Sequence, residues 1–458
     1  MSGVPNATRL SLFAAGLVLL AFVAAAGVAG SAPDDRPRTT ASVDVPGDYS
    51  FELPDEAGTA TVGDWEFDSL QAALDAAAPG ETVQLTGRFE GSVVVRTPNL
   101  TLAAPSRDAA VINGSGQGDV LTVDAPGVTL RQVWVRNSGY KPSENDATIM
   151  VNASHVTIRD SRITETTFGI WLDVVSDARV VNNTIVGRER VWPLSQRGNG
   201  IEVFESNDTL LAENRITDVR DGIYYSWASD VLGRNNTMWD LRYGVHYMYS
   251  DDCTLVGNTA TRNDAGYALM VSKRLELRDN VAVNNTGGSG HGILLKSIDD
   301  TQLVNNTLVG NGNGLYVYNS LDNRIAWNVV RDNDVGVHLT AGSVRETVTH
   351  NTFVGNRQPV YTVIGEQVVW NRSVGNFWAG ATRVDLDGDG VSEVRYRPAG
   401  AVERLTATTP EARLYVDSPA FEAIRRAEST VPLIETPGVV DHRPLIDPPH
   451  RDWRDLDE

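Results

Sequence analysis

The stretch GVHYMYSDDCTLVGN, residues 244–258, carries the pattern that decides the fold. It begins with a glycine, alternates apolar and mixed residues over the next four positions, and ends with an asparagine. The segment GYALMVSKRLELRDN, residues 266–280, repeats this pattern 22 residues later. The glycines that open such segments are Gly169, Gly200, Gly222, Gly244, Gly266, Gly292, Gly314 and Gly336. The asparagines that close them are Asn183, Asn214, Asn236, Asn258, Asn280, Asn306, Asn328 and Asn351.

This repeat predicts a parallel β-helix. Short β-rich runs separated by turn residues, without a long helical pattern, are typical of solenoids whose rungs stack on one another. The first and third residues after each glycine are apolar in nearly every copy, so they face the core, and the second and fourth face outward. A leucine-rich repeat would need a leucine framework, and a propeller a period about twice as long. We therefore predict an all-β fold, a right-handed parallel β-helix solenoid, over residues 61–380.

Both ends of the chain are predicted to lie outside the solenoid. One arginine precedes an uncharged run over residues 10–30 that is long enough to span a bilayer. Residues 1–32 are therefore predicted to be a cleaved signal peptide or an N-terminal membrane anchor, and residues 33–60 an acidic, Pro-rich linker. The protein is then extracytoplasmic, in a periplasm or on the outer face of the membrane. Residues 381–458 are predicted to form a C-terminal block with an Asp-rich turn, a short helix over 417–430 and an extended Pro-rich tail.

The composition excludes several classes of protein. The chain has 59 acidic and 39 basic residues, a net charge of −20 and only three lysines, Lys141, Lys273 and Lys296. Such a surface suits high salt and lacks the basic footprint that a nucleic-acid partner requires. The single cysteine, Cys253, rules out an internal disulfide framework and a thiolate zinc site, and its place in the repeat predicts a core position.

Three soft donors are predicted to share one outward face. His246 and Met248 are the second and fourth residues after Gly244, and Met270 is the fourth residue after Gly266 on the next rung. Two thioethers and an imidazole in one patch are suitable ligands for Cu(I), whereas Mg²⁺ and Ca²⁺ prefer oxygen. The alternative interpretation is an apolar patch that packs beneath another segment or a partner protein.

The segment DLDGDGVSE, residues 385–393, contains half of a calcium-binding pattern. Asp385, Asp387 and Asp389 stand at alternate positions before Gly390, as in the first half of an EF-hand loop. The twelfth position of such a loop, normally a bidentate glutamate, is Tyr396. The segment is therefore either a structural calcium site with further ligands from elsewhere or an Asp-Gly turn without a metal.

An ordered set of motifs resembles the NosD family of nitrous-oxide reductase maturation proteins. The segments at 244–258 and 266–280 are followed by GILLKSIDDTQLVNN at 292–306, VGNFWAG at 374–380, VDLDGDGVSEVRYRP at 384–398 and VDSPAFEAIRRAE at 416–428. The resemblance covers about residues 60–445. It implies an exported, non-catalytic β-helix protein that works with an ABC-type ATPase and a membrane permease to supply copper to the nitrous-oxide reductase apoprotein. It also favours the copper interpretation of the methionine patch, without assigning the ligands, and implies membrane association through the permease or the N-terminal anchor.

Two other functions compete with this one. A carbohydrate-active β-helix enzyme, a lyase or a hydrolase, would need outward carboxylates that converge on adjacent rungs. Asp173 and Glu202 lie on neighbouring rungs but in different columns, and Asp251 and Asp252 are adjacent in sequence and diverge along an extended chain. A surface structural or adhesive β-helix is the third alternative, which the C-terminal motifs do not favour.

Overall fold

The described residues form a solenoid of stacked rungs. The computed structural model describes residues 43–47, 49–370, 373–415, 418–430 and 437–450. Within them the chain winds into a parallel β-solenoid of about 13 turns, with rungs of about 23 residues. The all-β solenoid predicted from the repeat is therefore confirmed. The predicted leader over residues 1–32 lies outside the described residues.

Each rung contributes short strands to three faces of the solenoid. Face 1, a separate twelve-stranded parallel sheet, consists of Val93–Val95, Leu121–Val123, Ala147–Val151, Phe168–Asp173, Ile201–Phe204, Asp221–Ser226, Tyr243–Met248, Ala265–Lys273, His291–Asp299, Asn313–Tyr318, Val335–Leu339 and Gln358–Thr362. Face 2 consists of Thr59–Val62, Trp65–Phe67, Thr82–Glu90, Thr101–Ala103, Thr129–Arg131, Thr157–Arg159, Arg179–Val181, Leu210–Ala212, Leu232–Arg234, Thr254–Val256, Glu276–Arg278, Gln302–Val304, Arg324–Ala326 and Thr347–Thr349. Face 3 consists of Ala110–Asn113, Trp134–Arg136, Arg162–Thr164, Thr184–Val186, Arg215–Thr217, Thr237–Trp239, Thr259–Thr261, Val281–Val283, Thr307–Val309, Val329–Arg331, Thr352–Val354 and Phe377–Trp378, and Thr82–Glu90 joins it to face 2.

The predicted inward columns form the core. The first and third residues after the repeat glycines are all buried, as are Met238 and Cys253. The glycines are needed because successive rungs approach closely there. A Cβ atom on Gly244 would lie 2.7 Å from the carbonyl oxygen of Gly266 and 2.9 Å from the Cβ of Ala260. The repeat is thus explained by two demands, apolar side chains inside and no side chain where backbones meet.

The asparagine column forms a continuous buried ladder. In each step, the amide oxygen of one asparagine accepts from the backbone N–H and the side-chain amide of the asparagine one rung earlier, as Asn258 does from Asn236 at 3.0 and 2.9 Å. The ladder runs from Asn183 to Asn376 and ends on the buried carboxylate of Asp441. The side-chain amides therefore stack along the solenoid. The residue before the asparagine has left-handed backbone, for example Asn235 with φ 52°.

The segment before the solenoid packs along face 3. We call residues 43–47 and 49–51 the N-terminal strap. Its Val43 contacts Val283 and Val309, whereas the rings of Tyr49 and Phe51 lie 6.2 Å from Trp239 and 5.7 Å from Trp134. The described part of the predicted linker is therefore bound to the solenoid across many rungs.

The helices are short and lie at the two ends of the solenoid. Helix α1, Leu70–Ala76, is capped by Ser69 and packs against the first strands, and α2, Ala401–Thr408, and α3, Pro419–Thr430, pack together near the last rungs. The predicted C-terminal helix is thus present, with Ser418 Oγ accepting from the backbone N–H of Phe421, and Asp417 lies outside the described residues. A small sheet, Gln367–Trp370, Tyr396–Ala399 and Gly438–Asp441, attaches the tail to the solenoid. None of the helices in the described ranges is long and apolar enough to cross a membrane.

Candidate metal centre

Met248 and Met270 lie side by side on the outer side of face 1. Their strands pair in parallel, and the two methionines are register partners. Neighbouring strands lie about 4.8 Å apart, so the two thioethers are within reach of one ion. Both side chains are half-buried, whereas Val245 and Tyr247, which point into the core from the strand of Met248, are fully buried. The structure therefore places two soft donors next to each other at the surface.

His246 lies on the same strand as Met248 but is more enclosed than an outward position suggests. Its residue is 7% exposed, with the imidazole stacked on Tyr224 at 4.4 Å between ring centroids and edge-on to Tyr243 at 5.1 Å. Its Nδ1 lies 3.1 Å from Oδ2 of Asp221 on the preceding rung. Its Nε2 is buried and has no hydrogen-bond partner among the described residues. Nδ1 therefore has a hydrogen-bond partner, whereas the buried Nε2 has none among the described residues.

Asp221 is the anionic centre of this cluster. Its side chain is 0% exposed and accepts two hydrogen bonds from Arg242, at 2.8 Å from Nε and 2.5 Å from a terminal nitrogen. Burial alone would raise the pKa of Asp221, but the hydrogen bonds from His246 and Arg242 outweigh it and hold this pKa below its ordinary value. The carboxylate is therefore ionised at neutral pH. An ionised carboxylate only accepts hydrogen bonds, so Nδ1 of His246 carries the proton.

A second buried acid lies one rung further back. Glu202 is 3% exposed and its Oε2 accepts from the side-chain amide of Asn199 at 2.5 Å. Burial raises the pKa of Glu202 to about 8. Glu202, Tyr224 and His246 are successive register partners, so the acid is separated from the imidazole by the tyrosine ring.

The next rungs continue the outer side of face 1 with different chemistry. Lys296 is the register partner of Met270 and is exposed. His291 does not turn toward Met270, because its Nδ1 lies 3.1 Å from Asn313 Nδ2 and its ring lies against Tyr316. Burial lowers the pKa of His291 to about 4, with the neighbouring His338 adding to the effect. The soft-donor patch therefore ends at Met270.

An exposed apolar ridge runs along the edge of the patch. Trp227, Tyr249 and Val271 each follow the outward fourth position of their rung and are 58%, 45% and 40% exposed. All three have left-handed backbone, with φ between 51° and 58°, which costs energy in residues other than glycine and asparagine. The rings of Trp227 and Tyr249 stack at 4.5 Å.

The Asp-rich loop brings together two of its three predicted calcium ligands. Oxygen atoms of Asp385, Asp387 and Glu393 lie within 4.8 Å of one another. Asp389 instead binds Arg443, 2.8 Å away. Both carboxylate oxygens of Asp385 accept from backbone N–H groups, those of Gly388 and Gly390. The loop is thus a turn stabilised by Asp385, in which oxygen atoms of Asp385, Asp387 and Glu393 also lie close together.

Asp221 is the residue of this centre that the sequence did not reveal. It stands directly before the repeat glycine Gly222, at a position where the neighbouring rungs carry Asn199 and Tyr243. A lone acid in a column without other acids, one rung before an outward histidine, is the signal that could have identified it. The charge of Asp221 adds slightly to the raised pKa of Glu202, whose main cause is burial.

Fold and site together define a class of protein, a parallel β-solenoid with a set of soft metal donors on its outer surface. Residues 181–382 match the family described as "Periplasmic copper-binding protein (NosD)". The "Probable ABC transporter binding protein NosD" of Pseudomonas aeruginosa is 37% identical over 406 residues, which cover 85% of this chain and 93% of that protein. The protein of the same description from Stutzerimonas stutzeri is 33% identical over 378 residues, 79% of this chain and 85% of its own.

The chain belongs to the NosD family. The family is described as periplasmic and copper-binding, which agrees with the extracytoplasmic location and the copper chemistry expected from the sequence. Among solved structures, an alginate lyase from a Paenibacillus species is similar, with 18% identity, a TM-score of 0.39, and coverage of 57% of this chain and 91% of that chain.

Proposed function

We propose that this protein is a non-catalytic, extracytoplasmic copper-handling factor that helps to assemble the copper site of nitrous-oxide reductase. In this proposal it binds Cu(I) through Met248, Met270 and Nε2 of His246, and it works with an ABC-type ATPase and permease. The membership of the NosD family and the description of its relatives as ABC transporter binding proteins support this proposal.

The observation that carries the proposal is the donor set itself. Two register-partnered thioethers lie beside a histidine whose Nε2 has no other partner among the described residues. Thioether and neutral imidazole ligands select Cu(I) over hard cations such as Mg²⁺ and Ca²⁺. All three donors are neutral when they bind, so the ion is held without charge pairing, which suits a protein that passes the ion on.

An anaerobic Cu(I) titration of the soluble domain against a colorimetric chelator tests the site. We expect Met248→Ala/Met270→Ala to lower the affinity for Cu(I) at least tenfold. Met150→Ala is the matched control, because Met150 is also half-buried on face 1 but lies several rungs away from Met248 and Met270. Its register partner is Trp171. Equal affinities of the parent and the double variant would refute the assignment.

A carbohydrate-active enzyme is disfavoured by the enclosure of the acids. Glu202 and Asp221 are 3% and 0% exposed, and both oxygens of Asp221 accept hydrogen bonds from neighbouring side chains. A glycosidic oxygen has to reach the acid that protonates it, so enclosed carboxylates cannot perform this reaction on a polysaccharide. We expect no release of oligosaccharides from acidic polysaccharides, and such release would contradict the non-catalytic proposal.

For the Asp-rich loop we propose a structural calcium site built on Asp385, Asp387 and Glu393. The convergence of their oxygen atoms supports it, since Ca²⁺ prefers several oxygen ligands. We expect millimolar Ca²⁺ to raise the melting temperature of the parent but not of Asp385→Asn/Asp387→Asn. A calcium response that is the same in both proteins would refute the site.

A further inference from the structure

We infer that Asp221 is a positioning residue of the copper centre, which holds the His246 proton on Nδ1 and thereby presents Nε2 as the ligand atom. This inference rests on the proposed function, because it assigns a role within the same site. Asp221 itself does not contact the ion in this arrangement. It acts through the imidazole.

The contacts around the imidazole leave it one orientation. Tyr224 stacks on one side of the ring, with an interplanar angle of 18°, and Tyr243 meets it edge-on at 76°. Asp221 Oδ2 then fixes the remaining rotation by its bond to Nδ1. Three independent contacts therefore determine both the plane and the direction of the ring, which is more than packing alone requires.

The strand register places Asp221 and Met248 on different sides of His246. The two nitrogens of an imidazole flank Cε1 and face different directions. Asp221 is at the start of its strand, in register with Tyr243, whereas Met248 is at the end of the neighbouring strand, in register with Ser226. Because Nδ1 is bonded back toward the strand start, Nε2 is the nitrogen left for a ligand shared with Met248 and Met270.

The open nitrogen is costly unless a ligand uses it. A buried nitrogen without a hydrogen-bond partner loses its interaction with water and gains nothing in exchange. Nε2 of His246 is in this state among the described residues, although the other nitrogen of the same ring is bonded. Histidines that bind metals commonly donate their other N–H to a carboxylate, which fixes the tautomer and strengthens the ligand. The pair formed by Asp221 and His246 has this arrangement.

Arg242 keeps the carboxylate in place for this role. Its guanidinium binds both oxygens of Asp221 in the bidentate geometry that arginine and carboxylates share. Oδ2 therefore accepts hydrogen bonds from both Arg242 and His246, and the charged contact with Arg242 fixes its position. An amide in the place of this carboxylate would have to turn its NH₂ group toward one of these donors.

The tautomer can be measured without copper. In protein labelled with ¹⁵N-histidine, long-range ¹H–¹⁵N correlation spectra at a pH well above the imidazole range distinguish a protonated nitrogen from a bare one. We expect His246 to have its proton on Nδ1, with the signals assigned by their loss in His246→Gln. A proton on Nε2 in the parent protein would overturn the inference.

Asp221→Asn then tests the consequence for the metal. We expect the substitution to shift the His246 proton toward Nε2 and to weaken Cu(I) binding by about 10- to 100-fold, the usual effect of removing such a partner. Asp240→Asn is the matched control, because Asp240 forms the same bidentate contact with Arg262 on the next rung but is exposed and has no histidine. An Asp221→Asn protein with parental affinity for Cu(I) would refute the positioning role.

The outcomes separate this inference from the proposed function. If Met248→Ala/Met270→Ala binds Cu(I) as the parent does, the copper site is wrong, whatever the tautomer of His246. If that variant is weakened but Asp221→Asn is not, the site stands and the positioning role fails. Should Asp221→Asn not fold, the tautomer of His246 in the parent protein still decides the inference, because a proton on Nε2 would overturn it.

Discussion

The replacement of Asn258 by alanine tests how much the asparagine ladder contributes to the stability of the solenoid. Asn258 is 0% exposed and lies in the middle of the ladder. Its amide oxygen accepts from the backbone N–H and the side-chain amide of Asn236, and its amide nitrogen donates to Gly233 O and Asn280 Oδ1. The substitution removes these four hydrogen bonds at once.

The magnitude follows from the groups that lose their partners. The backbone N–H of Asn236 loses the acceptor that Asn258 supplies, and the carbonyl oxygen of Gly233 loses one hydrogen bond. A buried polar group without a partner costs about 1–3 kcal/mol. We therefore expect Asn258→Ala to lower the free energy of unfolding by about 2–4 kcal/mol, which combines the unpaired N–H with about 1 kcal/mol for the bond to Gly233, before any cavity is counted.

Equilibrium unfolding in guanidinium chloride, followed by circular dichroism, measures this loss as a shift of the midpoint at constant slope. Asn207→Ala is the control, because Asn207 is an exposed asparagine outside the ladder and its replacement should change stability by no more than about 0.5 kcal/mol. If Asn258→Ala unfolds at the same midpoint as Asn207→Ala, the ladder makes no net contribution and the reasoning from unpaired groups is refuted.

Three further predictions concern other parts of the molecule. Val271→Asn should raise the free energy of unfolding by about 1 kcal/mol, because a β-branched residue is strained at φ 51° and asparagine is not. The control Val344→Asn should not raise it, because Val344 lies outside the left-handed region. Equal unfolding midpoints of Val271→Asn and the parent would contradict this. The folded protein holds the Glu202 proton more tightly than the unfolded chain does, so its contribution to stability falls as pH rises from 4.5 through about 8. Glu202→Gln should flatten that part of the stability–pH curve, and parallel curves would show that the raised pKa is wrong. Tyr49→Ser/Phe51→Ser should detach the N-terminal strap and lower the free energy of unfolding by about 2 kcal/mol. Limited proteolysis should then cleave the chain before Trp65 sooner than in the parent. Unchanged cleavage would contradict the packing of the strap on Trp134 and Trp239.

The interior of the solenoid could be predicted from the sequence because each rung repeats the same physical demand. Apolar residues recur at fixed offsets from the glycine, as Val245 and Tyr247 do from Gly244, and buried amides recur fourteen positions on. A requirement that is imposed on every rung becomes a pattern in the chain. The same register also places Met248 beside Met270, since outward positions follow from the inward ones.

The side-chain cluster around His246 was less predictable, because it occurs on only one pair of rungs among the described residues. Asp221 contacts His246 from the preceding rung, and no neighbouring copy of the repeat carries an acid at that position. The enclosure of His246 depends on Tyr224 and Tyr243, whose ring positions no period describes. The helix Ala401–Thr408 was likewise not predicted, because it lies beyond the last repeat.

The N-terminal strap alters the order in which the fold can be completed. A solenoid needs only contacts between neighbouring rungs, so it can form progressively as the chain emerges. Val43, however, packs against Val283 and Val309, which follow it by more than 200 residues. These partners do not exist until most of the chain has been synthesised. The earliest described residues to leave the ribosome are therefore among the last to reach their native neighbours, and until then the apolar surface that they cover on face 3 stays open to other chains.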